Sequence, residues 1–200
     1  MLLDRLLRNG RQVLPLYIRC GLLWEAAELY WLRRLLSTWR RPRLSPLCVV
    51  RLPMRDLYGA HWSFTGRRIP STRSVDAAVY LPGRNAILLT AAAITGSQRQ
   101  ISTIVLGTLR GNPFGDATPQ FFRDMGRGLT QALRHPIQVI APLRHLSKAQ
   151  AIRAANSVPF ELTFSCLRPR GRRHCGDCNK CAERRRAFHE VGVSDPVFQP

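Results

Sequence analysis

The sequence predicts an α/β fold built on a parallel sheet over residues 1–163, with a small cysteine-rich module at 164–200. Three observations predict it. Short apolar runs of strand length alternate with stretches of helical periodicity, the pattern of strand–helix–strand units. Helix-start signals, Thr118-Pro119 and Ser147-Lys-Ala-Gln150, follow two of the apolar runs at short distance. Four of the six cysteines fall within sixteen residues near the C-terminus.

The elements follow in order. Leu2, Leu3, Leu6 and Leu7 recur at helical spacing, and Asn9-Gly10 ends the pattern. Residues 12–18 read as a strand, weakened by Pro15 unless it lies at an edge or bulge. A helix is expected over 22–36, with Trp24, Ala27, Trp31 and Leu35 on one stripe and Glu25, Glu28, Arg33 and Arg34 around it. A strand over 47–52 follows the connector Arg40-Arg41-Pro42-Arg43, and residues 54–83 read as irregular. Residues 84–96 form a helix of small side chains suited to packing closely on a sheet. The best strand is 101–109. Thr118 caps a helix that has Pro119 at its first position and runs to Leu133. A short strand at 137–140, a helix from the capping box to Asn156 and a last helix at 181–191 complete the chain.

The 200 residues carry 45% hydrophobic content, enough for a proper core plus an appendage. The formal charge of +19 points to polyanions or phosphates as partners. Lys148 and Lys180 are the only lysines, however, and the arginines are spread along the chain, so direct nucleic-acid binding is not the expected role. The longest apolar run, 86–94, is far too short to span a bilayer, so no membrane partner is expected. The N-terminus lacks a signal-peptide core, and the expected compartment is the reducing cytoplasm.

The cysteines Cys166, Cys175, Cys178 and Cys181 are spaced C-x8-C-x2-C-x2-C. A Cys-x2-Cys pair sets two sulfurs on one side of a tight turn, for which Gly176-Asp177 is suited. Four thiolates make a closed tetrahedral set that fits a structural Zn2+. An iron–sulfur cluster uses the same ligand chemistry, and disulfides would need an oxidising compartment. The five histidines pair with no carboxylate in a way that suggests general-base work; His174 is a candidate ligand, but four cysteines already fill the site. Cys20 and Cys48 read as buried thiols.

Phe164-Ser165-Cys166, His174-Cys175-Gly176-Asp177-Cys178-Asn179-Lys180-Cys181, Arg184, Ala187-Phe188, Gly192 and Asp195-Pro196 together resemble the C-terminal signature of 7-cyano-7-deazaguanine synthases. Ile69-Pro-Ser-Thr72 and Tyr80-Leu-Pro-Gly-Arg-Asn85 match a second family segment in order. The resemblance implies a three-layer α/β sandwich of the PP-loop (adenine-nucleotide alpha-hydrolase) type, with a C-terminal zinc module. It also implies ATP-dependent carbon–nitrogen ligase chemistry on the route to queuosine. A carboxylate on 7-deazaguanine is adenylated, ammonia displaces AMP to give an amide, and a second ATP drives dehydration to the nitrile. Mg2+ accompanies the ATP, and such enzymes often form homodimers. The family's first strand and its phosphate-cradling Ser-Gly-Gly-x-Asp-Ser loop have no counterpart in these 200 residues. Poor ATP turnover by the chain as given is therefore expected, most simply because Met1 is an internal methionine of a longer protein. The alternative is a non-catalytic, zinc-stabilised paralogue that binds RNA or a protein partner.

The expected ligand contacts are Arg84, Asn85, Asn112 and Asp116. Arg84 and Asn85 offer a guanidinium fork and an amide at a helix start, next to Gly83. Asn112 and Asp116 follow the strongest strand, where α/β ligand sites form, with Phe114 or Phe121 available to stack on a purine-like ring. The plain reading of both segments is a turn with a helix cap, and Lys148 reads as solvated surface.

Overall fold

The computed structural model describes residues 1–155 and 157–198. The chain divides into two compact units: Met1, Leu3–Ala78 and Ala149–Pro200 form one, and Leu2 with Val79–Lys148 forms the other.

In the first unit, α1 (Leu2–Arg8) leads to β1 (Leu16–Arg19), which pairs in parallel with β2 (Cys48–Arg51) so that Leu16 faces Cys48 and Arg19 faces Arg51. The strand begins after Pro15, which lacks the N–H a ladder needs; upstream of it only an isolated bridge from Val13 to Leu44 remains. The helix α2 (Glu25–Thr38) starts later than its apolar stripe suggests, because Glu25 turns back to close the preceding loop. Its carboxylate accepts the Gly21 amide at 2.7 Å and Arg19 Nε at 2.7 Å. Trp24 and Ala27 are buried, with Trp24 stacked on Trp62 at 5.7 Å, while Trp31 is only half-buried.

Residues 54–83, expected to be irregular, contain two single-turn helices, α3 (Arg55–Tyr58) and α4 (Trp62–Thr65), and a 3-10 turn at Asp76–Val79. His61 caps α4 by accepting the Ser63 amide, and Gly66 ends it in the left-handed conformation. Cys20 is buried as expected, whereas Cys48 is half-buried.

In the second unit, α5 (Arg84–Ser97), β3 (Thr103–Val105), α6 (Pro119–Leu133) and β4 (Gln138–Ile140) enclose one core. β3 and β4 run parallel, with Ile104 opposite Val139. Leu89, Ala93, Phe122, Leu129 and Ile137 fill the space between helices and strands. Thr118 Oγ1 accepts the Phe121 amide at 3.1 Å, so α6 begins and ends where its cap, its proline and its apolar spacing place it. Close approach is set by small residues: a methyl group on Gly126 would lie 3.1 Å from the Ile137 carbonyl oxygen.

The first unit is completed by α7 (Lys148–Arg153), whose expected end at Asn156 lies outside the described residues, and by α8 (Asn179–Val191). Phe160, Ile152, Ala187 and Phe188 pack together, with Phe160 edge-on to Phe188 at 5.3 Å.

Candidate metal centre

The cysteine module is local in sequence and its geometry follows from two features. Gly176 takes φ 83°, a left-handed turn open to glycine, which returns the chain between Cys175 and Cys178. Cys178 is then the extended N-cap residue of α8, and Cys181 sits one turn into the helix. A spacing of three at a helix start puts both sulfurs on one face, 3.4 Å apart. Cys175 Sγ lies 3.9 Å from Cys181 Sγ, and Cys166 completes the set: all four sulfurs lie within 4.8 Å of one another.

A regular tetrahedron of thiolates around Zn2+, with bonds of about 2.3 Å, separates its sulfurs by about 3.8 Å. The observed spacing fits that figure. The Leu167 amide points at Cys178 Sγ (3.4 Å) and the Cys175 amide at Cys166 Sγ (3.3 Å), which supplies the partial positive charge that thiolate ligands require. Packed thiols cannot all ionise together. Side-chain hydrogen bonds with Cys178 and Cys181 push the Cys166 thiol far up, while its bond with Cys166 holds Cys178 well down. A shared dication removes that conflict by taking four thiolates at once. Cys166, Cys178 and Cys181 are buried and the set is sulfur-only and closed, so the centre fits a structural ion.

His174 lies outside the ligand set. Burial, and then the charge of Arg184, pull its imidazole down to about 4. The neutral ring accepts the Ser165 amide at Nε2 (2.9 Å) and lies against Phe164 with centroids 4.6 Å apart.

Two further residues fasten the module. Arg184 is buried and grips buried Asp195 through two bonds, Nε to Oδ2 at 2.7 Å and Nη2 to Oδ1 at 2.9 Å. Its remaining donors reach Thr163 Oγ1 (2.6 Å) and the Phe160 carbonyl (3.0 Å). Asn179, fully buried beside Cys178, donates from Nδ2 to the Ser74 carbonyl (2.9 Å) and to Asp76 (3.2 Å). Its own amide donates to the Pro70 carbonyl, and Ser71 bridges to Cys178. The Ile69-Pro-Ser-Thr72 segment therefore hangs on the turn that carries Cys178. Sequence reasoning placed these residues in a signature without their partners. The Asn after the third Cys and the acid eleven residues beyond the Arg were the available signals.

The expected ligand contacts lie in the second unit. The Asp116 carboxylate accepts the Asn85 amide at 2.9 Å, and Asn85 Nδ2 donates to the Asp116 carbonyl (3.1 Å) and Oδ1 (3.3 Å). These two residues thus meet, with buried Asp116 capping the start of α5. Gly83, at φ 69°, precedes that helix. Arg84 Nε is buried and makes no hydrogen bond among the described residues. Asn112 is exposed and folds its Oδ1 onto the Phe114 amide at 3.0 Å. Phe114 stacks on Tyr80 with centroids 4.8 Å apart, whereas Phe121 packs against the core. Lys148 is half-buried at the start of α7.

Comparison with known proteins places the chain in a family. Residues 64–192 match the family model described as queuosine biosynthesis protein QueC. The chain belongs to the QueC family. It is 34% identical over 124 residues to the 7-cyano-7-deazaguanine synthase of Aliarcobacter butzleri, covering 59% of this chain and 54% of that protein. It is 30% identical over 153 residues to the synthase of the same name from Leptospira interrogans, covering 72% and 60%. The synthase of Methanosarcina barkeri is 29% identical over 164 residues, covering 78% and 71%. The chain thus spans a little over half the length of the first of these QueC relatives.

Proposed function

We propose that the chain takes part in the ATP-dependent conversion of 7-carboxy-7-deazaguanine and ammonia to 7-cyano-7-deazaguanine, in the cytoplasm. The observation that supports this reading is the QueC match over 64–192, a range that takes in the four cysteines and the segments carrying Arg84, Asn85, Asn112 and Asp116. In this proposal residues 1–163 form the nucleotide-handling body and 164–200 the zinc module. Arg84 presents its guanidinium to phosphate or carboxylate, its buried Nε being unpartnered among the described residues. Asn85 and Asp116, already joined, hold the start of α5 in place. Asn112 and the Tyr80–Phe114 stack offer an amide and aromatic faces to a deazapurine. ATP enters with Mg2+. Zn2+ at the four cysteines braces the C-terminal module and takes no part in the chemistry.

These 200 residues contain no Ser-Gly-Gly-x-Asp-Ser loop to cradle ATP phosphates, so by themselves they should turn over slowly. The test is nitrile formation, followed by mass spectrometry, from 7-carboxy-7-deazaguanine, ammonia and ATP. Turnover by the 200 residues alone at the rate of a full-length relative would overturn the slow-turnover proposal. If a chain extended upstream through such a loop also formed no nitrile, the synthase reading itself would fail.

A further inference from the structure

The arginines that look dispersed in sequence do not stay dispersed in the fold. The eight residues between Cys166 and Cys175 contain Arg168, Arg170, Arg172 and Arg173, and Asp177 is the one acid between 164 and 178. Arg168 pairs with that aspartate. The other three form the tip of a small hairpin. Arg170 and Arg173 exchange backbone hydrogen bonds at 3.0 and 3.1 Å, and Gly171 turns the chain at φ 59°. All three are exposed.

The hairpin is seated on α2. Trp31 Nε1 donates to the Arg172 carbonyl at 2.6 Å, and the Arg172 guanidinium lies 3.9 Å over the Tyr30 ring. Arg34 Nη1 donates to the Tyr30 hydroxyl at 3.4 Å. Closing a C-x8-C loop around a metal requires none of this charge, and crowding like charges in one turn is unfavourable. A guanidinium held over an aromatic face by cation–π attraction is positioned while it stays exposed, and its fork of donors suits bidentate contact with a phosphate. The patch includes none of the exposed large apolar side chains found among the described residues. It therefore has nothing to insert into a bilayer.

We propose that the Arg170–Arg173 hairpin, braced on Tyr30 and Trp31, binds the phosphodiester backbone of nucleic acid. Its test reads no catalysis. Fluorescence anisotropy with labelled tRNA, and in parallel with duplex DNA, is measured over a salt series on the metal-loaded protein. Each phosphate neutralised contributes about −0.7 to −0.9 to the slope of log affinity against log salt. The variant Arg170→Glu/Arg172→Glu/Arg173→Glu should bind at least about tenfold more weakly at ~50 mM salt, with a slope shallower by about 2 to 3. It should retain its zinc, since none of its changes touches a sulfur. The control Arg55→Glu/Arg99→Glu/Arg123→Glu, with the same net charge and three exposed sites elsewhere, should behave like the parent. Equal losses in both variants would overturn the proposal, because net charge alone would then explain binding. So would salt-insensitive binding, or binding to phosphatidylserine vesicles without binding to either nucleic acid. Preference for tRNA over duplex DNA, or the reverse, would tell which backbone the hairpin takes.

Discussion

Arg184 and Asp195 show what a single residue can carry. Both are buried, and the guanidinium satisfies the carboxylate and three further acceptors at once. Removing one partner leaves a charge with neither water nor counter-ion. Arg184→Ala should therefore cost about 3–5 kcal/mol, read by urea denaturation of the metal-loaded protein. The paired change Arg184→Met/Asp195→Leu should recover most of it, because no lone charge remains. A single-variant loss below ~1 kcal/mol would show the pair to be solvated in solution. Asp116→Ala should remove the cap of α5 and cost about 1 kcal/mol without any ligand present. A raised KM for the deazapurine, beyond what that loss of stability explains, would assign Asp116 a ligand contact as well. Neither partnership was legible in the sequence. Arg184 and Asp195 are eleven positions apart and Asn85 and Asp116 thirty-one, and pairing at such separations is decided by the fold.

Elements were legible where their signals are local. The bounds of α6 follow from Thr118, Pro119 and the apolar spacing up to Leu133, all readable within one stretch of chain. Strand length was not, because it depends on the partner: of residues 101–109 only Thr103–Val105 pair, matching the three residues that β4 offers. The start of α2 shifted for a similar reason, since Glu25 serves the preceding turn. The two glycines of α6 separate propensity from packing. Gly128 faces open space, so Gly128→Ala should stabilise by roughly 0.5–1 kcal/mol. Gly126→Ala gains the same propensity but sets a methyl group 3.1 Å from the Ile137 carbonyl oxygen, and should destabilise by about 1–3 kcal/mol. Thermal melts of the two variants should move in opposite directions; a rise in both would mean that α6 stands further from β4 than this packing implies.

On the scale of the molecule, the cysteine spacing announced the four-cysteine cluster because all four residues lie within sixteen positions, where geometry is nearly fixed by chain length. The basic hairpin was hidden, since it needs α2 and the inter-cysteine loop to meet. Purified protein should hold a single zinc per chain, and Cys178→Ser should lower its occupancy sharply, read by elemental analysis. Stoichiometric metal in the variant would remove Cys178 from the ligand set. The clasp that Asn179 makes with Ser74 and Asp76 gives this centre a reach beyond its own turn. With zinc held there as proposed, a cell short of the ion should accumulate polypeptide whose stretch from Pro70 to Asp76 has come unhooked, and proteases should cut it there first. Supply of the ion would in that way set how long each copy survives.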